Sequence, residues 1–440
     1  MTTAQGRGIN CNLSMPDDHK SLSFPVRLVV AIIGIAFCGL MIRTAARMGS
    51  ARLLERYAVM TNSIAAANQS TITAPSDADA QLTRATLLNN SRLTAEARDA
   101  QEHAVRLRPA DYSLWLGLGV LRDDAGDTDA ALAAFNEAVR FAPYYAQTHW
   151  QRGNLLLRLG RYDEAFADLR SAANSNRSFL PIVIDLAWGV SRGDAKLAEQ
   201  LIGPTDDKTR IQFARFLARA GKGREALDQF HAGEKSISEN ERRDLVRQLI
   251  DARAYQEAFE IWKGSLNLNL ERQPAVFDGG FEGQLAYDEV GFGWRINRNQ
   301  EKMVLSQDAI EHQGGSKSLR IVFEGNSTPT TPLLAQTLLV KPQKAYKINF
   351  AVMTKEVVSG GLPLVNVSDA ATGQLLGKSS NFPQASSPWQ TISFEFSTLP
   401  TSTAIILNVE RTGCSSSPCP IFGVVWLDSF SVEEVPARAQ

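Results

Sequence analysis

The sequence predicts a multidomain chain in which an N-terminal transmembrane helix precedes an all-α solenoid and an all-β domain. Three observations support this prediction: an uncharged run near the N-terminus, a helical pattern that repeats every 34 residues, and a change to period-two alternation after residue 265. The 440 residues are enough for about three domains of ordinary size.

The composition narrows the classes of partner and site. Hydrophobic residues make up 44% of the chain, which is ample for packed cores. The 46 basic and 47 acidic side chains leave a formal charge of −1, so no nucleic-acid partner is expected. The five histidines and four cysteines are scattered along the chain, which argues against a clustered Cys/His metal site.

The N-terminal region contains the predicted membrane segment. Residues 1–23 are polar and rich in turn-forming residues, so they are predicted to form a flexible tail. From Leu28 to Ile42 the chain has fifteen residues without a charge, and residues 24–43 are predicted as a transmembrane signal anchor. Residues 44–76 are predicted to form a linker or a juxtamembrane helix.

Two other interpretations of the apolar segment fit less well. A cleaved signal peptide needs small residues at the −1 and −3 positions, and Thr44 and Ala46 meet this requirement poorly. A lipoprotein signal that ends at Cys38 would need a small residue before the cysteine, where Phe37 stands. The sequence therefore favours a single-pass anchor in the inner (cytoplasmic) membrane.

Two signals disagree about the orientation of this anchor. Four arginines follow the apolar segment closely: Arg43, Arg47, Arg52 and Arg56. Lys20 and Arg27 are the basic residues close before it, so the positive-inside rule predicts a cytoplasmic C-terminus. Against this, Cys414 and Cys419 could close a short loop by a disulfide, which suits an oxidising compartment, although two reduced thiols remain the alternative. We expect the C-terminal bulk to lie outside the cytoplasm.

The middle of the chain contains an internal repeat of 34 residues. Pairs of small residues recur at this offset: Gly119 and Gly153, Gly126 and Gly160, Ala131 and Ala165, Ala138 and Ala172. Leu169 likewise follows Phe135 at the same distance. Such self-similarity is typical of helical repeat arrays, and about five helical pairs are predicted within residues 77–264.

The pattern resembles the tetratricopeptide repeat. The run from Trp115 to Gly119 would open a first helix, Ala131 and Phe135 would lie in the second, and Pro143 would close the unit. The small residues Gly119, Ala131, Gly153 and Ala165 would let helices approach closely, while Trp115 and Phe135 fill the space between them. The resemblance implies a concave groove that binds a protein partner, and no catalysis is expected there.

The last third of the chain has the alternation of an antiparallel β domain. Seven strands are predicted, at 318–323, 333–340, 346–354, 362–368, 389–396, 403–410 and 423–432. Turn-forming residues separate them at short intervals, which predicts a sandwich or a barrel. The boundary with the helical array is predicted at about residues 265–274.

The motifs of this region, in their order, resemble the galactose-binding-like jelly rolls that include many carbohydrate-binding modules. They are FDGGFE at 277–282, GW at 293–294, GSKSLRI at 315–321, YKINF at 346–350, WQTISF at 389–394 and VWLDSF at 425–430. The resemblance covers about residues 275–436 and implies a jelly-roll sandwich. It places Trp294 and Trp389 in the core.

Alternation along the strands suggests a glycan-binding face. Asn366, Asn408 and Glu410 would point outward from their strands, and a polar face beside an aromatic platform is what a sugar needs. Trp426 is the predicted platform, because Val425 and Leu427 take the opposite face.

The jelly-roll resemblance also implies a structural calcium ion. Family members often hold one between an opening acidic residue and an acidic residue of the last strand, which correspond here to Glu282 and Asp428. Backbone carbonyls would have to supply the remaining ligands, because Ca²⁺ takes 6 to 8 oxygens. No other cofactor is expected.

No enzyme is predicted. The β domain has acidic residues without a persuasive pair, and no phosphate-binding loop occurs in the sequence. The sequence favours a membrane-anchored scaffold in bacterial envelope polysaccharide assembly or export, with repeats that bind protein and a module that touches glycan. The alternatives are a protein-only adaptor with a structural β domain, and a glycan-remodelling enzyme with two carboxyl groups about 5 to 10 Å apart.

Overall fold

A computed structural model describes residues 24–266, 273–296, 302–326, 332–415 and 417–436. The predicted tail at residues 1–23 lies outside this described part. The chain divides into two compact units, with the boundary between Phe179 and Leu180. Each unit is described by itself below.

The first unit opens with one unbroken helix of 38 residues, α1 (Phe24–Thr61). Side chains from residue 28 to residue 50 are exposed wherever they are described, and burial begins at Ala51 and Ala58. By length and composition this helix could cross a membrane as a single span, and a signal sequence would pass the same test. The helix has no break near residue 43, because strong helix formers such as Ala and Arg continue the chain there.

Seven further helices follow in the first unit. They are α2 (Ile64–Thr73), α3 (Ala78–Asn90), α4 (Thr94–Leu107), α5 (Tyr112–Asp124), α6 (Thr128–Phe141), α7 (Ala146–Arg158) and α8 (Tyr162–Ser175). A short 3-10 turn (Arg177–Phe179) ends the unit. Helices α3 to α8 form three helix pairs, and Asp77, Asp111 and Asp127 cap helices α3, α5 and α6 through their carboxylates.

The residues predicted to pack inside a repeat are buried, except Trp115, which is half-buried. Ala131, Phe135 and Ala165 have no exposed surface. A Cβ atom added to Gly119 would lie 2.4 Å from the Phe135 ring, so the two helices approach as closely as a glycine allows. Trp115 is half-buried and its indole Nε1 donates a hydrogen bond to the Pro109 carbonyl at 2.8 Å.

The second unit begins with six helices and continues into a β domain. The helices are α9 (Leu180–Val190), α10 (Ala195–Ile202), α11 (Asp207–Arg219), α12 (Gly223–Gly233), α13 (Glu239–Asp251) and α14 (Tyr255–Ser265). Residues 77–264 are all described, and they hold six helical pairs instead of about five. The pair α9 and α10 is short, as the degenerate sequence between 182 and 201 indicates.

In the described part of the chain, ten strands form two antiparallel sheets. They are β1 (Arg295–Ile296), β2 (Met303–Asp308), β3 (Ser318–Asn326), β4 (Leu334–Leu339), β5 (Ala345–Ser359), β6 (Pro363–Asp369), β7 (Leu375–Lys378), β8 (Ala385–Ser397), β9 (Ala404–Arg411) and β10 (Pro420–Val435). Sheet A has the order β1-β4-β9-β6-β7, and sheet B has the order β2-β3-β10-β5-β8. The seven predicted strands all exist, and the three missed strands β1, β2 and β7 are edge strands.

The two sheets enclose one hydrophobic core. Ile405, Leu407 and Val409 of β9 face inward with Val365 and Val367 of β6, as the alternation predicts.

The two tryptophans that were predicted to be core differ from each other. Trp294 belongs to the core and stacks on Phe281, with the ring centroids 5.2 Å apart. Trp389 lies on edge strand β8 and is half-exposed, so its predicted core position is wrong. An edge strand has a neighbour on one side alone, which leaves a large side chain partly open to solvent.

Candidate functional site

A groove in the first unit is the first candidate site. It lies along α3, α5 and α7, the first helices of three consecutive pairs, and encloses about 360 Å³. Its wall is formed mainly by six side chains: Leu82, Thr86, Asn89, Leu116, Val120 and Gln151. None of the residues that line the groove carries a charge. The groove is therefore suited to an uncharged segment of a partner.

The floor of this groove is held by a buried amide. Gln101 of α4 is buried, and its Nε2 donates a hydrogen bond to the Leu114 carbonyl at 2.8 Å. A Cβ atom on Gly117 would lie 2.9 Å from the same Nε2. A glycine at this position thus lets the amide pass beneath the helix. Periodicity indicated the helices of this groove, but it did not single out these residues.

A buried ionic cluster joins α7 to α8. The His149 Nδ1 atom lies 2.7 Å from Asp168 Oδ1, and its Nε2 lies 2.8 Å from the Pro143 carbonyl oxygen. Arg152 donates to the same carboxylate from Nε at 2.6 Å and from Nη2 at 2.7 Å. The hydrogen bond with Asp168 raises the pKa of His149, although burial opposes this shift. The cluster holds the repeat together, and Arg152 is engaged inside the fold.

Asp168 stays charged in this cluster for an identifiable reason. Burial by itself would raise the pKa of the carboxyl, but the hydrogen bonds from Arg152 and His149 outweigh it, so the pKa is lowered. Removal of Arg152 or His149 would leave this buried carboxylate without one of its partners and would destabilise the packing of the two helices.

Three of the four predicted glycan-binding residues meet on the outer face of sheet A. Asn408 Nδ2 donates to Asn366 Oδ1 at 3.1 Å, and Asn366 Nδ2 donates to Glu410 Oε1. Burial raises the pKa of the Glu410 carboxyl, and the hydrogen bond from Asn366 reduces that effect. Asn366 is 7% exposed, so these groups satisfy one another and leave little surface for a sugar.

The fourth residue, Trp426, lies on the opposite side of the sandwich. It belongs to β10 of sheet B, whereas Asn366 and Asn408 belong to sheet A. Its side chain is 6% exposed, its Nε1 donates to Asp308 Oδ2 at 2.9 Å, and the Arg320 guanidinium lies 5.9 Å from the ring centroid. The prediction of one site from all four residues is wrong, because an open platform needs an exposed ring on the same face.

The predicted calcium ligands instead bind backbone N–H groups. Glu282 Oε1 accepts from Ser316 N at 2.8 Å. Asp428 Oδ2 accepts from Gln313 N at 2.7 Å and from Gly314 N at 2.8 Å. The hydrogen bonds from Ser316 lower the pKa of Glu282.

This donor set does not fit a cation. N–H groups that point at a carboxylate occupy its lone pairs and direct positive charge toward the place where Ca²⁺ would bind. Among the described residues, no group of three or more His, Cys, Asp or Glu side chains is suited to a metal ion. The two carboxylates therefore act as clamps on the loop between β2 and β3.

The structure joins Cys414 and Cys419 by a disulfide. It closes the loop between β9 and β10, and the Arg411 guanidinium donates to the Cys419 carbonyl at 3.0 Å. Cys38 is a free thiol on the exposed face of α1. The disulfide and the guanidinium together hold one end of the sandwich.

A contact within the second unit joins its last helix to the β domain. Trp262 of α14 donates from Nε1 to Glu289 Oε1 at 3.0 Å, and Phe259 packs against Phe292 with ring centroids 5.1 Å apart. A Cβ atom on Gly291 would lie 2.1 Å from Trp262 Cδ1. Sequence reasoning missed this contact, because an aromatic residue near a helix end does not reveal what it packs against.

A comparison with protein families matches part of the helical array. A family model of the tetratricopeptide repeat matches residues 112–145 and 146–179, which correspond to α5 with α6 and α7 with α8. No curated protein matches the sequence.

Three solved structures illustrate the structural likeness. One is YrrB, described as a tetratricopeptide repeat protein with an unusual peptide-binding site. Its sequence is 19% identical, the match covers 47% of this chain and 94% of YrrB, and the TM-score is 0.26. PilF of Pseudomonas aeruginosa is 15% identical, covers 51% of this chain and 99% of its own, and has a TM-score of 0.33. A CBM4 structure is 11% identical, covers 36% of this chain and 99% of its own, and has a TM-score of 0.28.

At such TM-scores none of these three likenesses supports a function. The architecture rests on the matched repeat and on the observed elements. The chain contains tetratricopeptide repeats, a long apolar N-terminal helix and a C-terminal antiparallel β-sandwich of two sheets.

Proposed function

We propose that this protein is a membrane-anchored, non-enzymatic scaffold whose repeats bind a protein partner in the groove along α3, α5 and α7. The uncharged lining of that groove carries the proposal. Leu116 and Val120 are four residues apart on α5 and half-buried, so they present adjacent apolar surface to a partner. The amides of Asn89 and Gln151 stand beside them as hydrogen-bonding groups.

The chemistry of the groove defines the partner segment. A charged side chain placed there would lose water without gaining an opposite charge. This costs more than burying a neutral polar group without a hydrogen bond, for which the cost is about 2 to 7 kcal/mol. Apolar side chains gain from burial, and amide groups satisfy an extended backbone. The partner is therefore an extended, uncharged protein segment with apolar side chains.

The anchor limits where that partner can be. The Ser70 hydroxyl donates to the Ala51 carbonyl at 3.1 Å, so the end of α1 is packed onto the first helices of the array. The nine residue steps from Ile42 to Ala51 rise about 14 Å along a continuous helix. The proposed partner segment is consequently close to the membrane surface.

A binding assay with peptide arrays tests the groove. The full chain in lipid nanodiscs is incubated with decapeptides that carry either uncharged or charged residues. We expect a preference for uncharged, apolar peptides and a loss of at least about tenfold in affinity for Thr86→Glu, since Thr86 is exposed and lines the groove.

Thr94→Glu is the matched control, because Thr94 is exposed and does not line the groove. Equal binding by the two variants, or equal binding of charged peptides, would contradict the proposal.

The membrane orientation is part of the same proposal. The Cys414–Cys419 disulfide supports an extracytoplasmic position for the β domain, because disulfides persist in oxidising compartments. The four arginines after the apolar segment point the other way. Alkaline phosphatase fused to the C-terminus is expected to be active. If a cytoplasmic reporter fused to the C-terminus is active and alkaline phosphatase is not, the proposed envelope role is contradicted.

The β-sandwich is proposed to bind glycan during the assembly or export of envelope polysaccharide. The order of its motifs and its two-sheet architecture support this role. The burial of Trp426 and Asn366 favours the second candidate, a protein-only adaptor with a structural β domain. A glycan-remodelling enzyme is less well supported, because Glu410 is the single carboxylate of the cluster with Asn366 and Asn408, and such enzymes use two.

A further inference from the structure

Helix α1 carries an exposed apolar face beyond the predicted membrane segment. Leu53, Tyr57 and Met60 are 68%, 59% and 85% exposed. They are four and three residues apart, so they lie on one face of the helix. With its continuation toward the membrane, this outer face of α1 consists of six residues, all exposed: Ile42, Ala46, Gly49, Leu53, Tyr57 and Met60.

The opposite side of α1 packs onto the first helices of the array. Ala51 and Ala58 have no exposed surface, and the Ala51 carbonyl accepts a hydrogen bond from the Ser70 hydroxyl. Leu53 and Met60 each lie two positions from one of these alanines, which is about 160° around the helix. The outer face therefore points away from these helices. A terminal unit of a helical array ordinarily has a polar outer surface, so an apolar one indicates that another molecule covers it.

Lipid does not cover the upper part of this face. The predicted membrane segment ends at residue 43, and Leu53 lies ten residue steps further along the continuous helix, a rise of about 15 Å. A helix tilt of about 20° shortens this distance only to about 14 Å. The headgroup layer beyond the hydrocarbon core is about 5 to 8 Å thick on each side. Leu53, Tyr57 and Met60 therefore lie in water, where an uncovered apolar face is unfavourable.

Gly49 gives an independent reason to expect a second helix at this face. Glycine is less favourable than alanine in the interior of a helix. A Cβ atom at Gly49 would meet no atom within 4 Å, so no contact in the described part of the chain requires a glycine there. Gly49 lies between Ala46 and Leu53 on the outer face, and small residues on one face let two helices approach closely.

The membrane limits which molecule can cover the outer face. The face is continuous from Ile42 at the membrane surface to Met60, so a helix that covers it runs beside α1 from the membrane outward. A second copy of this chain meets this requirement, because its own α1 leaves the membrane at the same height and carries the same face. Residues 1–23 precede the membrane segment, so a spanning helix separates them from this face.

We propose that two copies of this chain associate in parallel through the outer faces of their α1 helices. The inference rests on the proposed membrane anchor and adds a partner to it. A twofold axis along the membrane normal would bring each residue of the face close to the same residue of the second copy. Arg43 lies about 80° from Leu53 on one side and Arg56 about 60° on the other, so their long side chains border the apolar contact and keep their charges in water.

This pairing would place two binding grooves side by side at one membrane site. A partner with two suitable segments would then bind more tightly than a partner with one, because its second contact forms within the same complex.

Fluorescence energy transfer between copies labelled at the C-terminus measures association of the full chain in proteoliposomes at increasing lipid dilution. Transfer is expected for the parent protein. Leu53→Glu should raise the dimer dissociation constant about tenfold or more, because it buries a charge in the contact. Val59→Glu is the matched control: Val59 is 62% exposed and lies about 120° around the helix from Leu53, so the constant should change less than about twofold. Equal constants for the two variants, or no transfer in the parent, would overturn the inference.

Disulfide crosslinking gives a second measurement that needs no disruptive substitution. Cys38, the exposed free thiol of α1, is first replaced by serine. In native membranes, Met60→Cys should then form a crosslinked dimer about five times faster or more than Val59→Cys, because only residue 60 would lie within disulfide reach of its counterpart. Equal rates, or crosslinking of Val59→Cys alone, would place the contact on another face and would also overturn the inference.

Extraction with alkaline carbonate separates this inference from the proposed anchor. If the chain stays in the membrane and no association is found, the paired helices are wrong and the anchor stands. If carbonate releases the chain, both the anchor and the pairing are wrong, while the peptide array still tests the groove.

Discussion

Gly119→Ala is the sharpest test of how the repeats pack. A Cβ atom at this position would lie 2.4 Å from Cδ1 and Cε1 of the Phe135 ring and 3.0 Å from its Cζ. Phe135 is fully buried and packs against Ala131 and Leu155, so the ring cannot move away without disturbing its neighbours.

Gly153 is the matched position one repeat later, and its surroundings are looser. A Cβ atom there would lie 3.1 Å from Leu169 Cγ and 3.2 Å from the Ala165 carbonyl oxygen. A shift of a few tenths of an ångström relieves such contacts, whereas the contact at Gly119 needs a larger movement of a ring. Two residues that are equivalent in the repeat pattern are therefore predicted to differ.

The expected magnitude follows from two opposing effects. Replacing glycine by alanine inside a helix gains about 1 kcal/mol of helix propensity. Overpacking costs about 1 to 3 kcal/mol, with the upper part of this range expected at Gly119 and the lower part at Gly153. We therefore expect Gly119→Ala to destabilise its helix pair by about 1 to 2 kcal/mol, and Gly153→Ala to have an effect near zero.

Hydrogen–deuterium exchange with mass spectrometry measures this difference locally in the full chain. Peptides from α5 and α6 should exchange about 5 to 30 times faster in Gly119→Ala than in the parent protein. Peptides from α7 and α8 in Gly153→Ala should exchange at close to the parental rate. Equal effects of the two substitutions, or slower exchange in Gly119→Ala, would refute the packing argument.

Three further predictions concern charge, redox state and metal. The pKa of His149 is raised in the folded protein, so its stabilisation is complete below the unfolded value of about 6.5 and is lost as pH rises through the folded value. His149→Gln should therefore flatten the fall of the thermal midpoint as pH rises above about 6.5, and an equally steep fall in the variant would contradict this. Cys414→Ser, or reduction of the bond to Cys419, should lower the urea stability of the β domain by about 2 kcal/mol, because the closed loop is short; an unchanged midpoint after reduction would contradict this. Calcium chloride and EDTA should leave the thermal midpoint unchanged, because Glu282 and Asp428 already accept N–H groups, and a rise with calcium would show that the ion binds there after all.

Sequence reasoning identified most of the helices and strands, and the elements that it missed are three strands. The three missed strands β1, β2 and β7 lie at sheet edges, where pairing on one side requires little hydrophobic alternation. The segment predicted from residue 44 as a linker or a juxtamembrane helix continues α1 without interruption to Thr61, because the apolar stretch ends near residue 43 while helix-forming residues continue.

The predicted binding residues show where local patterns stop being sufficient. Alternation placed Trp426 correctly on the outer side of its strand, since Val425 and Leu427 are in the core. Its burial depends on Asp308, which is 118 residues away in the sequence. Alternation also assigned Asn366 and Asn408 to an outer face, but it does not specify which sheet a strand joins. The two asparagines and Trp426 consequently belong to opposite sides of one sandwich.

The sequence by itself determined the types of the elements and their order. An apolar helix, a 34-residue helical period and a period-two alternation all depend on residues close to one another in the chain. The tertiary structure decided which polar groups are exposed and which are satisfied. The carboxylates of Glu282 and Asp428 and the lining of the groove owe their surroundings to residues from distant strands and helices. Burial and hydrogen bonding are properties of those neighbours, and no local pattern contains them.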